Sequence, residues 1–390
     1  MLQIPSNCTG CHACVNICPA NCIIMKESES GFLNPVINQS LCINCGQCEK
    51  ICPVLHMPEM NAETVAYAMK NCDENVRKRS TSGGIFSLLA EYVLDRDGII
   101  WGAAYESDFS VRHIVVSDRK ELSLLQGAKY VQSVIGTSFQ EVKRELQKGR
   151  IVLFSGTPCQ CAGLKSFLGK KYKNLITVDM VCHGVPSPKV WQAYIDYRSQ
   201  KENAGKRPVK INMRSKASGW SHYGYSTEFD YGNSKISRIQ NSRDLFMKAF
   251  VGNICLRSSC SDCIAKGVDR CTDFTLGDYW GIWNQHPEFD DNKGTSVVFV
   301  HSKKGMEILN QVRENTVCLE VDIKAAYREN GSVVNSSAMH TARGDFLAEV
   351  TAENFEEIVS RHFPQNAEKQ KRLLYSIKRK ARNAFLRLCR

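Results

Sequence analysis

The chain has 390 residues, 43% of them hydrophobic, which is enough for ordinary globular cores and more than a single core usually serves. No run approaches the roughly 18 apolar residues of a membrane span, and Met1 to Cys8 lacks a basic stretch followed by an apolar one, so neither a spanning helix nor a signal peptide is expected. The formal charge of +11 would suggest a nucleic-acid binder, but nine basic residues and no acid lie between Lys369 and Arg390, which leaves +2 for the rest and argues against that class.

Within the first 53 residues one cysteine pattern is written twice: Cys8, Cys11, Cys14, Cys18-Pro19, then Cys42, Cys45, Cys48, Cys52-Pro53, each ligand repeating at an offset of 34. This is the spacing of bacterial two-cluster ferredoxins. Three cysteines wrap one [4Fe-4S] cube and the fourth reaches the other. Two cubes are therefore expected, one on Cys8, Cys11, Cys14 and Cys52 and one on Cys42, Cys45, Cys48 and Cys18. Structural zinc takes four ligands in separated pairs, and a disulfide scaffold belongs to secreted domains, so neither fits a register-perfect repeat. Cys22 lies outside the pattern and reads as a free buried thiol. With 19 cysteines and no leader, the chain is expected in the reducing cytoplasm.

After a short linker near residues 56–63, apolar and β-branched runs alternate with helical patterns, as in an α/β domain. Strands are predicted at 65–69, 98–104, 111–116, 151–154 and 175–181, and helices at 85–95, 137–148, 158–168 and 188–200. From about Pro208 the texture changes to a strand meander (209–214, 223–231, 235–239), then a helix at 243–251 and strands at 274–277 and 296–301. The predicted fold class is mixed α+β and α/β, with a small ferredoxin-like dicluster domain ahead of an α/β domain whose C-terminal part is mixed β. The expected division is 1–58, 62–185, 186–345 and a helical basic tail at 346–390. In that tail Leu373, Leu374, Ile377, Ala381, Ala384, Phe385 and Leu388 recur at helical spacing. A basic amphipathic helix of this kind packs on its own domain or lies on an anionic membrane surface, making peripheral membrane contact one expectation.

Two predicted strands each end on a cysteine, Cys159 and Cys182, and ligands gather outside the carboxyl ends of strands in an α/β sheet. Cys255, the pair Cys260 and Cys263, and Cys271 supply further sulfur, and four convergent thiols would make another cube. Ser82-Gly83-Gly84 before an apolar helix could seat a phosphate, although N-capping alone explains it equally well. Lys129, Tyr130 and Gln132 form a second such stretch that a plain strand edge also explains. Cys72, Cys161, Cys318 and Cys389 read as ordinary thiols.

Taken together, Ser82-Gly83-Gly84, Lys129-Tyr130-Val131-Gln132, Ser155-Gly156-Thr157-Pro158-Cys159, Cys182-His183-Gly184, Arg214 with Lys216, Cys260 with Cys263, and Gly277-Asp278-Tyr279-Trp280-Gly281 resemble the beta subunit family of coenzyme F420 hydrogenases and dehydrogenases. The resemblance spans about residues 1–300. It implies FAD and a third [4Fe-4S] cluster, the latter on Cys159, Cys182, Cys260 and Cys263, with Cys255 and Cys271 as rivals. It also implies a flavin near Ser82, Gly83, Gly84, Lys129, Tyr130 and Gln132, with Thr157 and Pro158 close to its ring. Where relatives often carry Arg-Asp-Lys, this chain has Arg214-Ser215-Lys216, so a polar role for that aspartate does not carry over.

The expected activity is that of an iron-sulfur flavoprotein oxidoreductase, in which FAD converts single electrons from cubes into the pairs that organic reductions need. The resemblance points to a deazaflavin-like substrate or a sugar-linked intermediate of cell-surface polysaccharide synthesis. A ferredoxin or other redox partner is expected, together with a small-molecule substrate. His183, Lys216 and His222 are the titratable candidates for catalysis. The alternative is a non-catalytic electron-transfer subunit relaying between ferredoxin and a partner enzyme.

Overall fold

The computed structural model describes residues 3–220 and 224–364. A hairpin of Ile23–Glu27 (β1) and Leu33–Ile37 (β2) forms the first module together with the two cysteine loops. The larger part contributes Val65–Asn71 (β3), Ile99–Tyr105 (β4), Val111–Val116 (β5), Ser133–Val134 (β6), Val152–Ser155 (β7) and Leu175–Met180 (β8). Lys210–Ser215 (β9), Ser226–Asp230 (β10) and Ile236–Gln240 (β11) follow, then Phe274–Asp278 (β12), Ser296–Val300 (β13) and Thr316–Val321 (β14).

Nine strands form one mixed sheet in the order β14-β3-β13-β12-β8-β7-β4-β5-β6. Its centre is parallel: β4 pairs with β7, β7 with β8 and β8 with β12. Those strands are continuous apolar runs, as parallel strands covered on both faces must be; Val152, Leu153 and Phe154 are fully buried. One face packs against helices Ile85–Leu94 and Lys303–Val312 through Leu89, Val93 and Leu309. The other packs against Ser138–Gln147 and Pro158–Leu168 through Phe139, Val142 and Phe167.

The meander predicted from the texture after Pro208 is a separate antiparallel sheet, β11-β10-β9. Sequence texture, however, does not reveal that β12, β13 and β14 return to the large sheet. The division expected at 185/186 thus runs through strands that hydrogen-bond side by side, because β12 adds in parallel to β8 across almost a hundred residues. Non-local pairing of this kind has no local sequence mark.

The hairpin module is bound to the rest by an apolar anchor and a set of polar ties. Phe32 is 2% exposed, within a core that includes Trp191, Tyr194, Phe246 and Leu347. Burying such a ring contributes about 2–3 kcal/mol. Leu33 N–H donates to Gln132 Oε1 at 2.9 Å, Ser187 Oγ to Ser30 O at 2.6 Å, and Asn16 Nδ2 to Gly136 O at 2.9 Å. Gly31, at φ +81°, fits where any Cβ would meet Lys189 Cβ at 2.4 Å. In the described part of the predicted tail, helices Arg343–Glu349 and Phe355–His362 pack onto this same core. The basic amphipathic stretch from Lys369 and the candidate His222 lie outside the described residues.

Candidate functional site

The sequence repeat persists in the backbone. Gly10 and His12 in the first loop have φ of +65°, and Asn44 and Gly46, the equivalents at an offset of 34, have φ of +54° and +72°. Left-handed residues between consecutive cysteines curl each loop around a common centre, and each loop runs into a short helix, Ala13–Ile17 or Gln47–Lys50.

Two cavities result. Cys8, Cys11, Cys14 and Cys52 line one; Cys18, Cys42, Cys45 and Cys48 line the other, with Cys22 beside them. The fourth cysteine of each run therefore lies with the opposite loop. Cys22 Sγ is buried 3.4 Å from Cys18 Sγ, a contact that is the main cause of its thiol being pushed up to about 11. Burial drives the Cys11 thiol up to about 12 and that of Cys14 higher still, so both sulfurs need a cation to remain thiolates. All 18 described cysteines are free of disulfides, and no three His, Cys, Asp or Glu side chains among the described residues converge as a single-ion site. Four thiols around a cavity fit a cube better than one ion.

A third cavity opens at the carboxyl ends of β7 and β8. Cys159 sits in the first turn of helix Pro158–Leu168, directly after β7, and Cys182 follows β8 by two residues. Cys260 and Cys263 reach the same space from the loop beginning at Ser258–Cys260, itself held by a bridge between Pro186 and Leu256. This cavity measures about 30 Å³, close to the roughly 20 Å³ of each of the first two. Val185 N–H donates to Cys260 Sγ at 3.3 Å. Neither rival is there: Cys255 is enclosed in the apolar core around Trp191, and Cys271 borders a different cavity with Lys165 and Asp273. Thr9 lines both the first and the third cavity, so the two are neighbours.

Of the residues expected near a flavin, Thr157 and Pro158 lie at the third cavity. Thr157 Oγ1 is 3.2 Å from Cys159 Sγ, and its backbone N–H is capped by Gln160 Oε1 at 3.0 Å. Gln132 is turned to the hairpin, its Oε1 taking the Leu33 amide. Ser82 Oγ donates to Thr295 O at 2.8 Å and Gly83 N–H to Ser296 Oγ at 2.9 Å, which commits both groups to β13 and its approach.

Lys216 Nζ binds the carbonyls of Arg77 and Ser82 at 2.7 and 2.5 Å, and burial lowers its pKa to about 7. Near it Arg214 Nη2 pairs with Asp278 at 2.9 Å, stacks over Tyr225 at 3.7 Å and keeps a buried Nε without a partner. Asp278 also accepts from Trp220 Nε1 at 2.9 Å. Tyr130 stacks on Phe250, and Lys129 lies 5.7 Å above the Tyr105 ring, whose hydroxyl is buried and unpaired. A polar and aromatic band thus extends from Ser82 through Lys216, Asp278 and Arg214 toward Tyr130. Sequence reading found its serine and glycines and had Asp278 within the Gly277–Gly281 motif of the resemblance, but assigned no ligand role to Asp278, Trp220 or Tyr105.

His183 lines the third cavity and is anchored by Asn253 Oδ1 at 2.6 Å; burial lowers its pKa. Arg257, Lys266 and Arg270 also line that cavity and were likewise missed.

Two segments of the chain match known families. Residues 149–326 match the family described as the C terminus of the coenzyme F420 hydrogenase/dehydrogenase beta subunit, and residues 7–55 match the 4Fe-4S dicluster domain. A 7Fe ferredoxin of Hydrogenibacillus schlegelii is 38% identical over 64 residues, 16% of this chain and 76% of that protein. A polyferredoxin-like subunit of an aliphatic sulfonate oxidoreductase from Pyrococcus furiosus is 35% identical over 54 residues, 13% of this chain and 30% of that one. Among solved structures, a chain of the F420-reducing [NiFe] hydrogenase complex of Methanosarcina barkeri aligns over 79% of this chain and 94% of its own, with 18% identity and a TM-score of 0.44. No helix among the described residues is long and apolar enough to cross a membrane. The chain is an iron-sulfur electron-transfer protein that carries a 4Fe-4S dicluster domain over residues 7–55 and, over residues 149–326, the C-terminal domain of the coenzyme F420 hydrogenase/dehydrogenase beta subunit family.

Proposed function

We propose that the chain is a flavin-dependent oxidoreductase that passes electrons through three [4Fe-4S] clusters to FAD and on to an organic substrate. The observation that carries this reading is the run of three cavities, each bordered by at least four cysteines, with Thr9 common to the first and third. Cys8, Cys11, Cys14 and Cys52 would hold the first cluster, Cys18, Cys42, Cys45 and Cys48 the second, and Cys159, Cys182, Cys260 and Cys263 the third. When bound, FAD would supply conversion between one- and two-electron chemistry. Arg214, Lys129 and Tyr130 are the groups of this chain offered to its anionic and aromatic parts, and Lys216 is the candidate proton donor. The substrate class is a deazaflavin or a sugar-linked intermediate of polysaccharide synthesis.

Electrons would enter at the second cluster. Cys45 is exposed, and Ile24, Val36, Leu41 and Ile43 expose apolar side chains in the same module, a surface suited to a ferredoxin-like partner. The same surface is the observation that favours the second reading, a relay subunit without substrate chemistry.

Iron, sulfide and flavin content of protein purified without oxygen separates the two. About twelve irons and one FAD per chain support the enzyme, since each cube holds about four. About eight irons without flavin overturn it and leave the relay. Reduction of coenzyme F420 by the reduced holoprotein then distinguishes a deazaflavin from a sugar-linked substrate.

A further inference from the structure

The three cysteine-bordered cavities differ in charge. No Lys, Arg, Asp or Glu lines either cavity of the dicluster module. Arg257, Lys266 and Arg270 all line the third, with no carboxylate among its lining residues. Each of the three is held by neutral acceptors. Arg257 donates to Cys8 O and Leu33 O, Lys266 to Cys182 O and Ser332 O at 2.5 and 2.7 Å, and Arg270 to Val333 O at 3.2 Å. Arg270 is 3% exposed and its Nη1 has no hydrogen-bond partner. None of the three makes an ion pair among the described residues; of the neighbouring carboxyls, Asp262 accepts from Asn7, Asp269 from Thr64, and the buried Asp179 from Thr272 and Thr275.

Reduction adds one negative charge to a cluster, and a fixed cation in a poorly solvated site favours the more negative state. Backbone N–H donors do not distinguish the sites, because the cysteines of the first module receive them as well. Exposure at Cys45 lets water stabilise added charge at the outer site, so the sharpest contrast is between the first cavity and the third.

We propose that Lys266 and Arg270 set the reduction potential at the Cys159, Cys182, Cys260 and Cys263 site above that at the Cys8, Cys11, Cys14 and Cys52 site, which directs electrons inward from the dicluster module; Arg257, which also donates to Cys8 O, faces both sites and does not separate them. This inference rests on the third cluster of the proposed function. One electron leaves the first site, which is oxidised by one unit, and arrives at the third, which is reduced by one. No proton transfer is needed, and a low-potential one-electron carrier of the ferredoxin class is the reductant.

The test is a mediated redox titration of the oxygen-free holoprotein, followed by electron paramagnetic resonance. The third centre is identified as the signal lost in Cys182→Ser. In the wild-type protein the third centre should be reduced at higher potential than the first. Lys266→Gln should disfavour its reduction about tenfold, or about 59 mV for one electron, and leave the first centre unchanged. Lys266→Arg should restore the wild-type value. Lys266 is only partly buried, so Lys266→Gln serves even where Arg270→Gln fails to fold. With full iron present, a third centre at or below the first, or one that Lys266→Gln does not move, overturns the inference while leaving the three-cluster reading intact. About eight irons and only two reducible centres overturn both.

Discussion

Arg257 donates its Nε–H to the carbonyl oxygen of Cys8 at 2.8 Å, linking residues 249 apart in the chain. Its Nη1 reaches Leu33 O at 2.9 Å, its Nη2 reaches Asn34 Oδ1, and its guanidinium lies over the Phe32 ring. A single buried side chain thus grips a cysteine loop and the hairpin of the dicluster module while lining the third cavity.

Replacing Arg257 by Met keeps the volume and removes every donor. The carbonyls of Cys8 and Leu33 lose their partner, a destabilisation of about 2–4 kcal/mol. Differential scanning calorimetry should show a lower Tm, and limited proteolysis should cut the 56–63 linker faster. A variant equal to wild type in both would mean that the other ties carry the module unaided.

Gly163, on helix Pro158–Leu168, packs directly against Cys11 of the first cysteine loop. A Cβ there would stand 2.9 Å from Cys11 Cβ and 3.0 Å from Cys11 Sγ. Gly163→Val is therefore expected to push the loop away at about 1–3 kcal/mol and to deplete iron at the first site. Iron per chain measured beside Tm checks this, and full iron at an unchanged Tm would contradict the packing.

Lys216 predicts a pH dependence. Burial lowers its folded pKa to about 7 from 10.5. Between those values the unfolded chain binds the extra proton, so this group makes stability rise with pH above 7; below 7 both states are protonated and the full penalty persists. Lys216→Met removes the titration along with the bonds to Arg77 O and Ser82 O. The Tm of the wild-type protein should accordingly gain on that of the variant from pH 7 to 10. Parallel curves would show that Lys216 does not titrate in this range.

Much of this protein is legible in its sequence because the relevant constraints are short. The cysteine spacing determines two loops and their crossed fourth cysteines, and the paired left-handed positions at 10 and 12 and at 44 and 46 are the backbone form of the same repeat. Apolar runs such as 152–154 mark buried parallel strands, and Thr157-Pro158 marks a helix start that the capping by Gln160 completes.

Tertiary structure alone decided the rest. Which of six later cysteines share a cavity depends on β12 pairing with β8, which carries the 260–263 loop to the ends of β7 and β8 and leaves Cys255 and Cys271 elsewhere. The cations at that cavity belong to no motif, and each was placed by a carbonyl distant in sequence. Spacing along the chain governs what neighbouring residues can wrap, whereas convergence from three separate segments is governed by strand order and core packing, which become defined only once the chain has folded.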